Sequence, residues 1–329
     1  MLKFITSLPE QLEKVSKVEP PEIRGGPFKR VVFVGMGGSA VSGDIVRSLL
    51  YESPFSIEVI KDYTLPGSLD NRTLLILTSY SGNTEETISA LQESLKGKFK
   101  IATITSNGKL EQIARENNLP LLTIPKGYPP RGALGWLLGS SLKILAGAGL
   151  MKDEKVTEDL IKTSNFLKKI IPEMEDLDSD TRELAEKLYL RIPLIYASQR
   201  FYPIAYRWQT QINENAKAFA HSHALSEMNH NEIAGLKNPA EKVETMWAIF
   251  ISLKDDHERI KKRIDFTIDL IRDSILGYSV VKAKGDNTFQ RVLYLILMGD
   301  FVSFYLAQAY QEDALSIPRI DMLKKKVSK

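Results

Sequence analysis

The chain has 329 residues, 43% hydrophobic and 26% charged, the balance of an ordinary globular enzyme with room for two domains. A formal net charge of +3, with the notable basic run confined to Lys324-Lys325-Lys326, argues against a nucleic-acid partner. The lack of cysteine excludes disulfides, cysteine nucleophiles and thiolate metal sites. With no signal pattern and no uninterrupted apolar run of about 20 residues, the expectation is a cytoplasmic protein without a membrane anchor.

Residues Met1 to Val18 have the apolar spacing of an amphipathic helix (Leu8, Leu12, Val15), and a Pro/Gly linker follows at Pro20 to Pro27. Arg30-Val-Val-Phe-Val34 reads as a buried strand running into Gly35-Met-Gly37-Gly38-Ser39-Ala40 and a helix through Leu50. Ser56 to Ile60 reads as a second strand, Leu74 to Leu77 as a third, Lys100 to Thr105 as a fourth and Leu121 to Ile124 as a fifth, with helices at Glu85 to Leu95 and Leu110 to Asn117. This alternation predicts an α/β fold: a doubly wound parallel sheet flanked by helices, binding its ligand at the C-terminal ends of the strands.

A small-residue helix over Ala133 to Ala148 precedes the expected domain boundary at Gly147 to Asp153, giving domains of residues 1–150 and 151–329. The second half reads as another α/β unit. Its strands are placed at Pro193 to Ala197, Thr245 to Leu253 and Ser279 to Lys282, and its helices at Val156 to Ile171, Tyr202 to Ala220, His257 to Ile271 and Thr288 to Tyr310.

The chemistry concentrates in the loop after the third strand, Thr78-Ser79-Tyr80-Ser81-Gly82-Asn83-Thr84, which enters a helix whose first turn carries Glu85 and Glu86. Hydroxyl donors, one glycine and the free amides of a helix start suit an anion, and the absence of a lysine excludes the nucleotide P-loop. Gly35 to Ala40 satisfies the G-x-G-x-x-A dinucleotide pattern, with Asp62 where a ribose-binding acid would lie, so a nicotinamide-dependent oxidoreductase is one reading. A phosphate gripped by both loops accounts for more, and a phosphosugar is the expected ligand.

Arg131 follows Pro129-Pro130 on the ligand side of the sheet, a fixed backbone for a cation. Glu214, in the polar run Asn213-Glu214-Asn215-Ala216-Lys217 of an otherwise half-buried helix, fits a general base whose pKa partial burial would raise towards the working pH. His221-Ser-His223 and His230-Asn-Glu232 hold three of the four histidines. Such a His/His/Glu set can bind zinc, but there is no H-E-x-x-H helix and the flanks read as loop, so His230 is preferred as an acid/base and no metal is expected.

Together these motifs resemble a sugar isomerase (SIS) domain. Pro130-Arg131, Asn213-Glu214-Asn215, Asn229-His230-Asn231-Glu232 and the terminal Ile320-Asp-Met-Leu-Lys324 narrow the resemblance to the archaeal type of bifunctional phosphoglucose/phosphomannose isomerase, across about Arg30 to Lys324. That resemblance implies two SIS domains in a homodimer, with the active site between the domains and no cofactor or metal. It implies that Gly37, Gly38, Ser39, Ser79, Ser81 and Thr84 bind the 6-phosphate of a hexose. Glu214 would shuttle a proton between C1 and C2 through a cis-enediol, and Arg131 would stabilise the enediolate. His230, contributed across the subunit interface, and Lys324 would open the sugar ring, with Lys325 the alternative lysine. The family places Thr-Pro shortly before that lysine; here Ser316-Ile317-Pro318 stands instead. A non-catalytic phosphosugar-binding SIS regulator is the other reading of the same motifs.

Overall fold

The computed structural model of the chain describes residues 1–97 and 99–327. The chain forms two compact units, Thr6–Lys168 and Met1–Ile5 with Lys169–Lys329.

The N-terminal unit is built on a five-stranded, all-parallel sheet of order β2-β1-β3-β4-β5. Its strands are β1 (Arg30–Val34), β2 (Ser56–Ile60), β3 (Thr73–Ser79), β4 (Lys100–Thr105) and β5 (Leu121–Thr123). All seven residues of β3 are buried, as a central parallel strand covered on both faces requires. The helices are α2 (Leu8–Ser16), α3 (Gly37–Leu49), α4 (Glu85–Ser94), α5 (Gly108–Glu116) and α6 (Leu134–Gly147), after a short α1 (Leu2–Thr6). On one face, Val32, Val34, Leu75 and Leu77 pack with Ile88 and Leu91 of α4 and Leu110 of α5.

The boundary predicted at Gly147–Asp153 differs from the division observed at Lys168/Lys169, inside the long helix α7 (Asp153–Glu175). The first turns of α7 are tied to the N-terminal unit. Buried Lys143 donates to Asp153 (2.7 Å) and Thr157 (2.9 Å), the Ser164 hydroxyl donates to the Pro9 carbonyl (2.8 Å), and Lys168 pairs with Glu13.

The C-terminal unit carries a four-stranded parallel sheet of order β7-β6-β8-β9: β6 (Ile192–Ala197), β7 (His221–Ala224), β8 (Met246–Ser252) and β9 (Gly277–Lys282). Its helices are α8 (Asp180–Leu188), α9 (Tyr202–Gln211), the short α10 (Leu225–Met228), α11 (Glu232–Gly235) and α12 (Ala240–Val243), then α13 (Glu258–Ile271), α14 (Thr288–Ala309) and α15 (Pro318–Val327). Leu194, Tyr196, Ala248 and Phe250 form one core face with Leu225, Met228 and Ile268. Helix α14 is long and apolar enough to cross a membrane by length and composition, with a window of mean hydropathy 1.6, yet 83% of that window is buried within the protein. It is the core helix of its unit.

The structure departs from the sequence reading at two places, around Glu214 and around the paired histidines. The helix predicted over Tyr202–Ala220 stops at Gln211. A π-turn (Ile212–Ala216) follows, and Lys217 ends it in the left-handed conformation (φ 53°) while the Asn213 side chain accepts the Ala220 amide at 3.1 Å. The stretch after it, read as loop, is strand β7, which pairs with β6 in the register Leu194↔His221 and Tyr196↔His223.

Candidate active site

In the N-terminal sheet, β2 lies on one side of β1 and β3 on the other, so the chain switches direction between β1 and β3. Open parallel sheets bind ligands in the crevice at that point. Both predicted loops leave the sheet there. The Ser39 hydroxyl, in the first turn of α3, accepts the Tyr80 amide at 3.1 Å and joins the two loops. The Ser79 and Thr84 hydroxyls, 2.8 Å apart, close the serine loop across its base, and Ser81 Oγ accepts the Asn83 amide at 3.3 Å. Among the described residues no side chain caps the start of α3 or α4, so two helix dipoles present their positive ends with first-turn amides not engaged by a cap.

Gly82 sits at φ +70°, and a Cβ there would run into the Asn107 carbonyl of the loop after β4. The Leu110 amide in turn donates to the Gly82 carbonyl at 2.8 Å, so the serine loop is fixed to its neighbour. Gly38 is needed for a different reason. A Cβ on it would come within 3.0 Å of the Pro130 carbonyl and 3.1 Å of the Arg131 amide, so a side chain here would press on the Pro130–Gly132 turn that lies against the start of α3. This brings Arg131, 4% exposed, to the cradle. Tyr80 holds the approach to that turn: its hydroxyl donates to the Pro125 carbonyl (3.0 Å) and accepts the Tyr128 amide (2.8 Å). Gln11 of α2 anchors the far side by donating to the Gly132 carbonyl at 2.8 Å. Tyr80 is thus a positioning residue that sequence reasoning passed over. Its place between two serines of the loop was the available signal.

In the C-terminal unit, half-buried Glu214 occupies the π-turn after α9. A buried frame holds that turn to α14. Arg207 donates through Nε to Asp300 Oδ1 (3.1 Å) and through Nη2 to Oδ2 (2.7 Å), and Gln211 adds a bond to Oδ1 at 3.0 Å. Trp208 donates to the Leu295 carbonyl (2.8 Å), and Asn215, next to Glu214, donates to Ser303 (2.9 Å). The polar residues that seemed to interrupt a helix are its fastenings.

His230 is exposed, two residues before Glu232, and its ring makes no hydrogen bond to any described residue. His221, His223 and Glu232 do come together: Glu232 Oε2 lies 3.1 Å from His221 Nε2 and 2.6 Å from His223 Nδ1, while Oε1 accepts the Tyr196 hydroxyl at 2.7 Å. Burial opposes the charge on Glu232, but the bonds from His221, Tyr196 and His223 outweigh it and hold the carboxyl at about 2. The hydrogen bond to Glu232 raises His221 against the effect of its own burial. Lys324 and Lys325 are exposed on α15, a helix with no buried residue. Asp62 is exposed beyond β2, its carboxylate accepting the Tyr63 amide.

The chain is 35% identical to a bifunctional phosphoglucose/phosphomannose isomerase of Caldicellulosiruptor bescii, with 100% of this chain and 99% of that one covered. It is 37% identical to the enzyme of that name from Aquifex aeolicus over 92% of each. The chain belongs to the bifunctional phosphoglucose/phosphomannose isomerase family. The bacterial phospho-glucose isomerase C-terminal SIS domain matches residues 177–327. The C-terminal domain of a glucosamine-fructose-6-phosphate aminotransferase from Francisella tularensis superposes with a TM-score of 0.73 at 17% identity, covering 96% of this chain and 98% of that one, which shows the SIS fold.

Proposed function

We propose that the protein is an aldose–ketose isomerase that interconverts fructose 6-phosphate with glucose 6-phosphate and mannose 6-phosphate. The observation that carries this reading is the full-length similarity to isomerases of that name, which spans both the cradle and the Glu214 turn. The 6-phosphate is held by the hydroxyls of Ser39, Ser79, Ser81 and Thr84 and by the amides at Gly37 and Gly38. Neutral donors and helix dipoles bind the dianion without a lysine. Binding energy from this non-reacting group holds C1 and C2 in place for proton transfer.

Glu214 takes the proton from one carbon and returns it to the other through a cis-enediol. A base fixed on a turn fastened to a core helix keeps its position through both transfers. Arg131 offsets the negative charge that develops on the enediolate oxygen, so the proton transfer itself requires no metal. The enzyme works as a homodimer in which His230 of the partner subunit and Lys324 open the sugar ring. An exposed His230 whose ring makes no hydrogen bond to a described residue fits such a role. Ser316, in place of the family threonine, bears on the share of mannose 6-phosphate formed.

The test supplies fructose 6-phosphate in the presence of EDTA and quantifies both aldoses. Wild type should form both, and Glu214→Gln should lose about 100- to 10,000-fold in kcat for each, with substrate still bound. Glucose 6-phosphate alone would remove the second activity from the reading. Binding of sugar phosphate without turnover in wild type would replace it with a phosphosugar-binding regulator.

A further inference from the structure

We propose that His221, His223 and Glu232 form a binding site for one divalent metal ion of the zinc class. The ligand atoms of these three residues all lie within 4.8 Å of one another. Strand β7 supplies two of them by simple alternation: His221 and His223 are i and i+2, so both rings stand on the same face. Pairing with β6 fixes that face, and it places Tyr196 directly opposite His223. The rings are edge-on, 72° apart with centroids 6.1 Å apart, so they converge on a point instead of stacking. Glu232, first residue of α11, closes the third side.

The donor set suits the ion. Two imidazoles and a carboxylate, in a chain without cysteine, select a borderline cation such as zinc or cobalt over magnesium or calcium, which prefer an all-oxygen shell. Ligand atoms bonded at about 2.0–2.1 Å to a tetrahedral zinc lie roughly 3.3 Å apart, so the two His–Glu232 separations of 2.6 and 3.1 Å need a small outward movement, and the two ring nitrogens lie within 4.8 Å of each other. The second carboxylate oxygen is already held by the Tyr196 hydroxyl at 2.7 Å, the kind of outer partner that orients a ligating carboxylate. The side chains of His221, His223 and Glu232 are 42%, 30% and 19% exposed, so an ion has an entry path and a fourth position open to water.

Such an ion would tie β7 to α11 and steady the Asn229–Asn231 turn that presents His230. Its binding does not depend on whether Glu214 is the base. A purely hydrogen-bonded cluster is the competing account, and it predicts no saturable metal binding.

The experiment uses the full-length, tag-free protein, stripped with EDTA and freed of chelator, titrated with cobalt(II) chloride. Visible d–d absorption should saturate at one equivalent and vanish on adding zinc. His221→Gln and His223→Gln should abolish this one-equivalent binding, and Tyr196→Phe should weaken it about 10- to 100-fold. His257→Gln, a histidine that caps α13, should leave it unchanged. No saturable band in wild type, or a band unaffected in folded His221→Gln and His223→Gln, overturns the proposal. Should those variants fail to fold, the wild-type chain decides. Of its four histidines, zinc must shift the imidazole C–H signals of His221 and His223 and leave those of His257 in place. Signals that all stay still, or all move, overturn the assignment.

Discussion

Each unit has its own switch point, and the two are filled in opposite ways. In the N-terminal sheet the crevice between β1 and β3 is lined by hydroxyls and helix starts, with no carboxylate among the hydrogen bonds that join its two loops. In the C-terminal sheet the corresponding crevice lies between β6 and β8. There Asp256 accepts the Ser198 hydroxyl (2.6 Å) and the Leu253 amide (2.8 Å), the donors contributed by the two loops. Asp255 beside it is taken up by Arg291 and Thr288. Parallel topology therefore creates such a crevice twice, and in the second the protein fills it with a carboxyl of its own. In the first, no carboxylate takes the corresponding place among the hydrogen bonds that join the two loops, which leaves it to the phosphate proposed above.

The largest effect should come from opening the closed unit. Asp300→Ala leaves Arg207 buried without its carboxylate, and loss of one partner from a buried pair costs about 3–5 kcal/mol. Urea unfolding should show a lower midpoint at an unchanged slope, and a change under 1 kcal/mol would mean that the pair is not the frame of α9 and α14. Next is the open unit. Gly82→Ala sets a side chain at positive φ against the Asn107 carbonyl, at an expected cost of about 1–3 kcal/mol. The loop must move to accept it, so KM for fructose 6-phosphate should rise at least about tenfold with a smaller change in kcat. An unchanged KM would show that the serine loop does not hold the phosphate.

The same contrast explains what could be seen in the sequence. The parallel sheet flanked by helices followed from strand–helix alternation because fully buried strands such as β3 carry continuous apolar runs. The serine loop was visible because a turn made of backbone and hydroxyls leaves a compositional trace, Ser-Tyr-Ser-Gly-Asn-Thr, in one short stretch. The C-terminal parts are assembled over long separations: Arg207 meets Asp300, Asn215 meets Ser303, and Glu232 meets the histidines of β7. No local pattern records such pairs. Polar residues 213–217 therefore looked like a helix face when they close a π-turn, and β7 looked like loop because it is short and carries His, Ser and His at an edge of the sheet. The division between the two compact units falls inside α7, where no break in the sequence marks it.

The smallest effect tests the closed crevice directly. Burial raises the Asp256 carboxyl above its usual value, against the lowering by Ser198 and Leu253, with Asp255 adding to the rise and Lys261 opposing it. An acid raised in the folded state binds its proton more readily there than in the unfolded chain. Stability from this group therefore increases as pH falls through the folded pKa and levels off below the ordinary aspartate value. Asp256→Asn removes the titration while keeping an oxygen for Ser198. Its stability relative to wild type should then fall as pH drops from neutral into the range just above 3.8, the ordinary aspartate value. The constant offset from the lost Leu253 bond does not affect that slope. A difference that stays flat with pH would mean that Asp256 does not titrate as a buried acid, and the two crevices would differ less than their hydrogen bonds suggest. A slope of the opposite sign would mean that the bonds to Ser198 and Leu253 outweigh burial, so that Asp256 sits in its crevice as a stabilised anion, as a substrate phosphate would in the other.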